Sequence, residues 1–344
     1  MSTRIQAVFV AGAVAASLLV LLQRRRRPLS AAPLAFSSCE VHRLTSSAGL
    51  AYKLHVSLPL SYSPDRCRYP IVVALDSEPY LFPLLTVCAR TSRYFARSYY
   101  FPDAIVVGVV ADLESDAGRG WLDVAALWDG LRPTRARDYL PTAAESPWGA
   151  PGAPSLLDVS GHADEFVGFV VDTLLPFLEA RYSTYGRDAR ALVGKSFGGS
   201  GVAHALLDAA CARCFSEFVL GSPSIGWDDG AFFRLEAAAR ARAGDDAAGS
   251  PPFGAAVFCC LGGAEAKEVS VASDDGARLV TYPSNCHRLK AVLDGRQTGP
   301  RVDVVVDVVE GENHGSVSYP FVVRALGFLK ERWRRLDEAG GVAQ

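Results

Sequence analysis

Ser196 stands in Gly194-Lys195-Ser196-Phe197-Gly198, directly after the apolar run Ala191-Leu192-Val193 and before a helical pattern through Val202, Ala203, Ala205, Leu206 and Leu207. Strand, tight turn and helix in that order present a serine hydroxyl on a strained turn, where it can act as a nucleophile. Such a turn needs neighbours without side chains, and Gly194 and Gly198 supply them. A phosphate-binding loop ending in Gly-Lys-Ser would need glycine at position 189, where Ala189 stands, and the residues between read as strand. The nucleotide reading therefore fails. A serine that only caps the following helix stays open on the five-residue motif alone.

A serine hydroxyl is a weak nucleophile at neutral pH, so it needs an imidazole to take its proton and a carboxylate to hold that imidazole in one tautomer. Both residue types follow in the chain. The buried-strand candidate 255–261 ends at Gly262-Gly263-Ala264-Glu265, and the valine-rich run 302–309 ends at Glu310-Gly311-Glu312-Asn313-His314-Gly315. Nucleophile, acid and histidine thus come in the order used by hydrolases in which each stands on a loop after a strand. Of the six histidines, only His287 and His314 lie beyond Glu265. His287 falls within a helical pattern (Leu289, Ala291, Val292, Leu293), so His314 is the candidate base.

An acyl-transfer site also needs two N–H donors for the oxyanion. The backbone of Phe197, next to the nucleophile, is one. The other is expected after the early strand Ile71-Val72-Val73-Ala74-Leu75-Asp76, at Ser77 or Glu78; Pro79 has no N–H to give.

These residues require a scaffold. Strand candidates at 71–76, 104–110, 190–194, 216–221, 255–261 and 302–309 alternate with helical patterns, which predicts an α/β fold with a mostly parallel sheet covered on both faces. Runs near 40–46 and 50–58 predict an antiparallel edge. With 344 residues, 49% of them hydrophobic, the chain has enough apolar material for one sizeable core. The stretch 113–160 carries Trp121, Trp128 and Trp148 but no evident periodicity. It is expected to form a lid over the site mouth.

Several of these segments resemble the esterase family of α/β-hydrolases that includes siderophore trilactone esterases and, more distantly, the esterase D group. The resemblance rests on Arg137-Asp138-Tyr139-Leu140-Pro141-Thr142, on Gly194 to Gly199, on Gly221-Ser222-Pro223-Ser224-Ile225-Gly226-Trp227-Asp228-Asp229 and on Glu265, with Thr173 to Glu179 as approach helix. It runs from about residue 40 to about 335 and implies the α/β-hydrolase fold. It also implies a serine hydrolase with Ser196 as nucleophile and His314 as base, and with Glu265 as an acid that some relatives dispense with. Lys195 replaces a usual histidine, and Ser77 a common glycine. Beside the nucleophile, Lys195 would either favour anionic substrates or snorkel to solvent. With Trp227 and Tyr80 it completes the candidate substrate-facing set. An acyltransferase and a non-catalytic binding protein on the same fold are the alternatives.

The N-terminus reads as a separate module, residues 1–35, ahead of a catalytic domain over 36–336 and a tail over 337–344. Ile5 to Leu22 is apolar apart from Gln6, and Arg24-Arg25-Arg26-Arg27 follows. As a helix the run would span about 27 Å, enough for a thin bilayer. Arginines after the apolar run predict a single-pass anchor with the catalytic domain in the cytosol; a mitochondrial or plastid presequence is the alternative. The eight cysteines include Cys259 and Cys260 within one core strand, which points to free thiols in a reducing compartment. No cysteine–histidine cluster has metal-ligand spacing, so neither metal nor other cofactor is expected. A net charge of −2 argues against nucleic acid as a partner and leaves a small ester and a membrane.

Overall fold

Short runs of valine, isoleucine, alanine and leucine without polar alternation suit strands buried on both faces. In the computed structural model they are the centre of one sheet. The structure describes residues 38–65, 67–76, 81–92, 101–113, 124–146, 155–243, 255–267, 282–294 and 302–338. The apolar run Ile5 to Leu22 and its arginines, the positions Ser77, Glu78 and Tyr80, the residues Trp121 and Trp148, and the last six residues lie outside that set, as does the side chain of Trp128. Among the described residues no helix is long and apolar enough to cross a membrane.

The strands are β1 (Ser38–Thr45), β2 (Ala51–Leu58), β3 (Ile71–Leu75), β4 (Ile105–Ala111), β5 (Arg190–Lys195), β6 (Glu217–Gly221), β7 (Ala256–Gly262) and β8 (Asp303–Val309). The helices are α1 (Phe82–Thr91), α2 (Val124–Tyr139), α3 (Ala163–Phe169), α4 (Leu175–Arg181), α5 (Phe197–Leu207), α6 (Ala209–Ala212), α7 (Trp227–Ala243), α8 (Tyr282–Asp294) and α9 (Ser318–Glu338). A π turn, Val170–Leu174, joins α3 to α4. Pro176 cannot donate to the carbonyl one turn earlier, and the helix takes up the extra residue there.

Strand order is β1-β2-β4-β3-β5-β6-β7-β8. The first two strands pair antiparallel, and β2 runs antiparallel to β4, as the sequence predicts for this edge. From β4 onward every pairing is parallel. Alternate residues feed two apolar layers. Val73, Leu192 and Cys259 point into the larger one, and Val72, Val193 and Cys260 into the one that α9 covers. All eight cysteines are free thiols. The chain winds outward from β3 to β4 and returns to β5 on the other side of β3. The carboxyl ends of β3 and β5 therefore flank the point where the winding reverses, the place where open parallel sheets bind ligands.

Where it is described, the segment expected as a lid holds a helix that its sequence does not announce. Residues 124–139 are a helix, and Leu131, Ala136, Tyr139 and Leu140 are buried. The Tyr139 ring lies so close to α5 that a Cβ added at Gly201 would stand 3.1 Å from it. Pro133 and the charged Arg132-Pro133-Thr134-Arg135-Ala136-Arg137 mask the helical period. Tertiary packing, rather than an apolar stripe, secures it.

At the amino end of β6, remote from the strand ends just described, Glu217 is buried and accepts from Trp333 Nε1 at 3.0 Å and from the Ser216 hydroxyl. Burial, only partly offset by those donors and by Arg332 and Arg187, pushes its carboxyl up to about 7. The folded state then binds this proton more tightly than the unfolded chain does. The contribution is complete below the ordinary glutamate range and is lost as pH rises through about 7. Glu217→Gln, which keeps the shape and stays neutral, is expected to raise stability at pH 8 by on the order of 3 kcal/mol and to leave it unchanged at pH 4. Thermal melts of both proteins at the two pH values test this, and an equal or lower melting temperature for the variant at pH 8 refutes it.

Candidate active site

The end of β5 turns into α5 through one strained residue. Ser196 has φ 58° and ψ −120°, a left-handed conformation that ordinary residues avoid at a cost of about 1–3 kcal/mol. The surroundings hold it there. Ser196 N–H donates to the Gly221 carbonyl of β6 at 2.8 Å, and the Ser196 carbonyl accepts from Ser200 N–H and Ser224 N–H, both at 3.1 Å. Close approach of strand and helix demands glycine, as the sequence predicts. A Cβ at Gly194 would stand 2.3 Å from the Gly198 carbonyl oxygen, and one at Gly198 would stand 2.7 Å from Asp76 Oδ2. The first peptide N–H groups of α5 point toward the side on which Ser196 stands, so the helix terminus favours negative charge there.

The loops after β7 and β8 bring the other two residues to Ser196. Ala264 N–H donates to the Glu312 carbonyl at 3.0 Å, and a Cβ at Gly262 would stand 2.2 Å from that oxygen. The two loops are thereby joined. Asn313 Oδ1 shapes the second by accepting from Gly315 N–H and Ser316 N–H, both at 2.9 Å. The Ser196 hydroxyl lies 3.1 Å from His314 Nε2, and His314 Nδ1 lies 3.1 Å from Glu265 Oε2. A carboxylate only accepts, so Nδ1 carries the proton and Nε2 is left to accept from Ser196.

Glu265 is 0% exposed, and His314 retains 32% of its side-chain surface. Burial alone would raise the Glu265 carboxyl. The bonds from His314, from Ser222 Oγ at 2.6 Å and from Gly262 N–H at 2.9 Å outweigh it and hold the group below the usual carboxylate range. The serine is thus next to an acceptor nitrogen whose far side is held by a charged, fully bonded carboxylate. Such an arrangement can remove the hydroxyl proton as Oγ attacks a carbonyl and can stabilise the imidazolium that forms.

Other sequence-predicted site residues sit elsewhere. Trp227 is 1% exposed, donates its indole N–H to the Thr142 carbonyl at 3.0 Å and meets the Phe197 ring edge-to-face at 5.9 Å. It packs behind the elbow rather than facing a substrate. Lys195 is 3% exposed with Nζ on the His314 carbonyl oxygen at 2.6 Å, so it is turned neither to an anionic substrate nor to solvent. The backbone of Phe197 is in place at the head of α5. Ser77, Glu78 and Tyr80 lie outside the described residues.

Three residues that sequence reasoning did not assign shape the turn leading to Ser77. Asp76 has φ 58° and donates its N–H to Tyr139 Oη at 3.2 Å. Arg135 grips its carboxylate at both oxygens, Nε at 2.8 Å and Nη2 at 2.7 Å, and its guanidinium lies 5.3 Å from the centre of the Phe197 ring. One bidentate pair thereby links the turn after β3 to the residue that offers the oxyanion donor. Tyr139 belonged to a recognised motif. Nothing local connects Asp76 with Arg135.

A mostly parallel sheet, an elbow serine at the end of a central strand and the chain order serine, glutamate, histidine are the features of the α/β-hydrolase fold. Residues 142–232 match the family model described as "Putative esterase". The siderophore triacetylfusarinine C esterase of Aspergillus fumigatus is 28% identical over 199 residues, 57% of this chain and 59% of that one. The siderophore enterobactin esterase of Emericella nidulans is 33% identical over 102 residues, 28% of this chain and 32% of its own length. The matches therefore span less than two thirds of either curated relative. Among solved structures, the siderophore hydrolase EstB of Aspergillus nidulans superposes with a TM-score of 0.63 at 23% identity, covering 86% of this chain and 96% of EstB. The BES protein of Bacillus cereus gives 0.62 at 22% identity, covering 85% and 94%. The resemblance seen in the sequence motifs thus extends to the whole fold.

Proposed function

We propose that this chain is a serine carboxylic-ester hydrolase working through an acyl-enzyme, with siderophore-type esters or lactones as its substrates. One observation carries the chemistry: a continuous relay from Ser196 Oγ through His314 to a buried, ionised Glu265. Ser196 Oγ attacks the ester carbonyl while its proton passes to His314 Nε2. The tetrahedral oxyanion turns toward Phe197 N–H at the head of α5. His314 returns the proton to the departing alkoxide, leaving an ester on Ser196. Water then attacks that ester, His314 takes the water's proton, and the carboxylic acid leaves as Oγ is reprotonated.

The substrate class rests on the activities for which the two relatives are named and on the sequence motifs. The apolar run Ile5 to Leu22, with the arginines after it, is read as a tether that keeps the catalytic domain on the cytosolic side of a membrane. The test incubates the full chain, in detergent micelles, with triacetylfusarinine C, with enterobactin and with a short-chain aryl ester, and follows the products by mass spectrometry. Cleavage of either siderophore, with one water gained per bond, is the expected result. Cleavage of the aryl ester alone would remove the siderophore assignment, and three intact substrates would remove the esterase assignment.

A further inference from the structure

Lys195 precedes the candidate nucleophile, and as the last residue of β5 it pairs with Gly221 of β6. Side chains alternate along a strand, so Lys195 shares its face with Ala191 and Val193, which lie in the apolar layer beneath α9, while Ser196 begins the turn above. Its aliphatic stem is therefore among apolar neighbours, and its ammonium emerges under the loop that carries His314. There Nζ donates to the His314 carbonyl oxygen at 2.6 Å. Four elements converge on this cation. Glu265 on the loop after β7 and Asp76 at the end of β3 attract it, Arg135 on α2 repels it, and the loop after β8 gives it the carbonyl.

We propose that Lys195 is a positioning residue, whose ammonium fixes the main chain of His314 and thereby sets the imidazole between Ser196 and Glu265. The inference rests on the serine-hydrolase reading and deepens it. A peptide carbonyl and the Cα beside it move as one plane, so anchoring the carbonyl limits how the side chain swings. The anchor springs from the residue next to the nucleophile and reaches the base across 119 positions of chain. A charge-assisted bond from an ammonium is stronger than one from a neutral donor. Burying that charge is costly, and burial lowers the pKa of Lys195 to about 8. Its proton is held below that pH and lost above it, so the anchor weakens as pH rises through about 8.

Lys195→Met removes charge and donor while keeping the stem, and Lys195→Gln restores a neutral donor. With an aryl ester, and with a fluorophosphonate that reports Ser196 reactivity directly, Lys195→Met is expected to lose about 10- to 100-fold in kcat and in labelling rate. KM is expected to stay within about twofold, because the residue touches no substrate. Lys195→Gln is expected to recover part of the loss. Wild type is expected to show an alkaline fall near pH 8 that Lys195→Met lacks. Circular dichroism confirms that each variant is folded. Hydrogen exchange over residues 310–317 reads the anchor without reference to catalysis and is expected to quicken in Lys195→Met. A folded Lys195→Met with unchanged kcat, or with only KM altered, overturns the proposal. If wild-type Ser196 fails to label, the hydrolase reading has failed, and the exchange measurement still decides whether Lys195 holds the His314 loop: faster exchange supports it, unchanged exchange overturns it.

Discussion

Ser196→Ala is expected to abolish fluorophosphonate labelling and to lower ester turnover by on the order of 10⁶, with the melting temperature unchanged within a few degrees. The size follows from the role. Without Oγ no acyl-enzyme forms, and water would have to attack directly with only the oxyanion donors and binding left, a residue of about 10³–10⁴ over the uncatalysed reaction. The fold is spared because the elbow is held by main-chain atoms. The bonds from Ser196 N–H to Gly221 and from Ser200 N–H and Ser224 N–H to the Ser196 carbonyl all survive the substitution. Alanine occupies the left-handed conformation at a cost like that of serine. Mapping the labelled peptide in wild type decides the assignment. Label at another residue, or an alanine variant that hydrolyses ester at more than about a thousandth of the wild-type rate, would sink Ser196 as the nucleophile.

What the sequence disclosed and what it withheld divide along physical lines. The elbow was legible because its requirements are local: an apolar strand, glycines at 194 and 198, a helix beginning at once. Glu265 and His314 were legible because parallel strands end on one side of the sheet, so residues just after β7 and β8 share an edge with the residue just after β5. The side-chain directions were not legible. Trp227 lies in a recognised motif, yet whether it faces a cleft or packs behind the elbow depends on the Thr142 carbonyl far away in the chain. Lys195 was read by its position beside the nucleophile, while its direction is set by strand alternation and by a loop from β8. The Asp76–Arg135 pair joins the end of a strand to a helix whose period is hidden by Pro133 and charged neighbours. Such contacts follow from tertiary packing, which a single sequence does not display.

Glu265→Gln is expected to lower kcat by about 10³–10⁴ while leaving KM and the fold largely intact. The substitution is isosteric, but it changes what the buried group offers. Ser222 Oγ and Gly262 N–H both donate to Oε1, so the amide oxygen is held on that side and the amide NH₂ turns to His314 Nδ1. Nδ1 must then accept, the ring proton moves to Nε2, and Nε2 can no longer receive the hydroxyl proton of Ser196. The loss of negative charge also removes the partner of the imidazolium in both half-reactions. Wild-type Glu265 stays ionised below the usual carboxylate range, so its favourable charge persists through mildly acid pH and is lost only as pH falls further. The variant's rate profile should accordingly lie at a far lower plateau. A plateau in Glu265→Gln within about threefold of wild type would show that a serine–histidine pair is sufficient. It would also mean that the three hydrogen bonds around Glu265 serve to shape the loop after β7 rather than to orient His314.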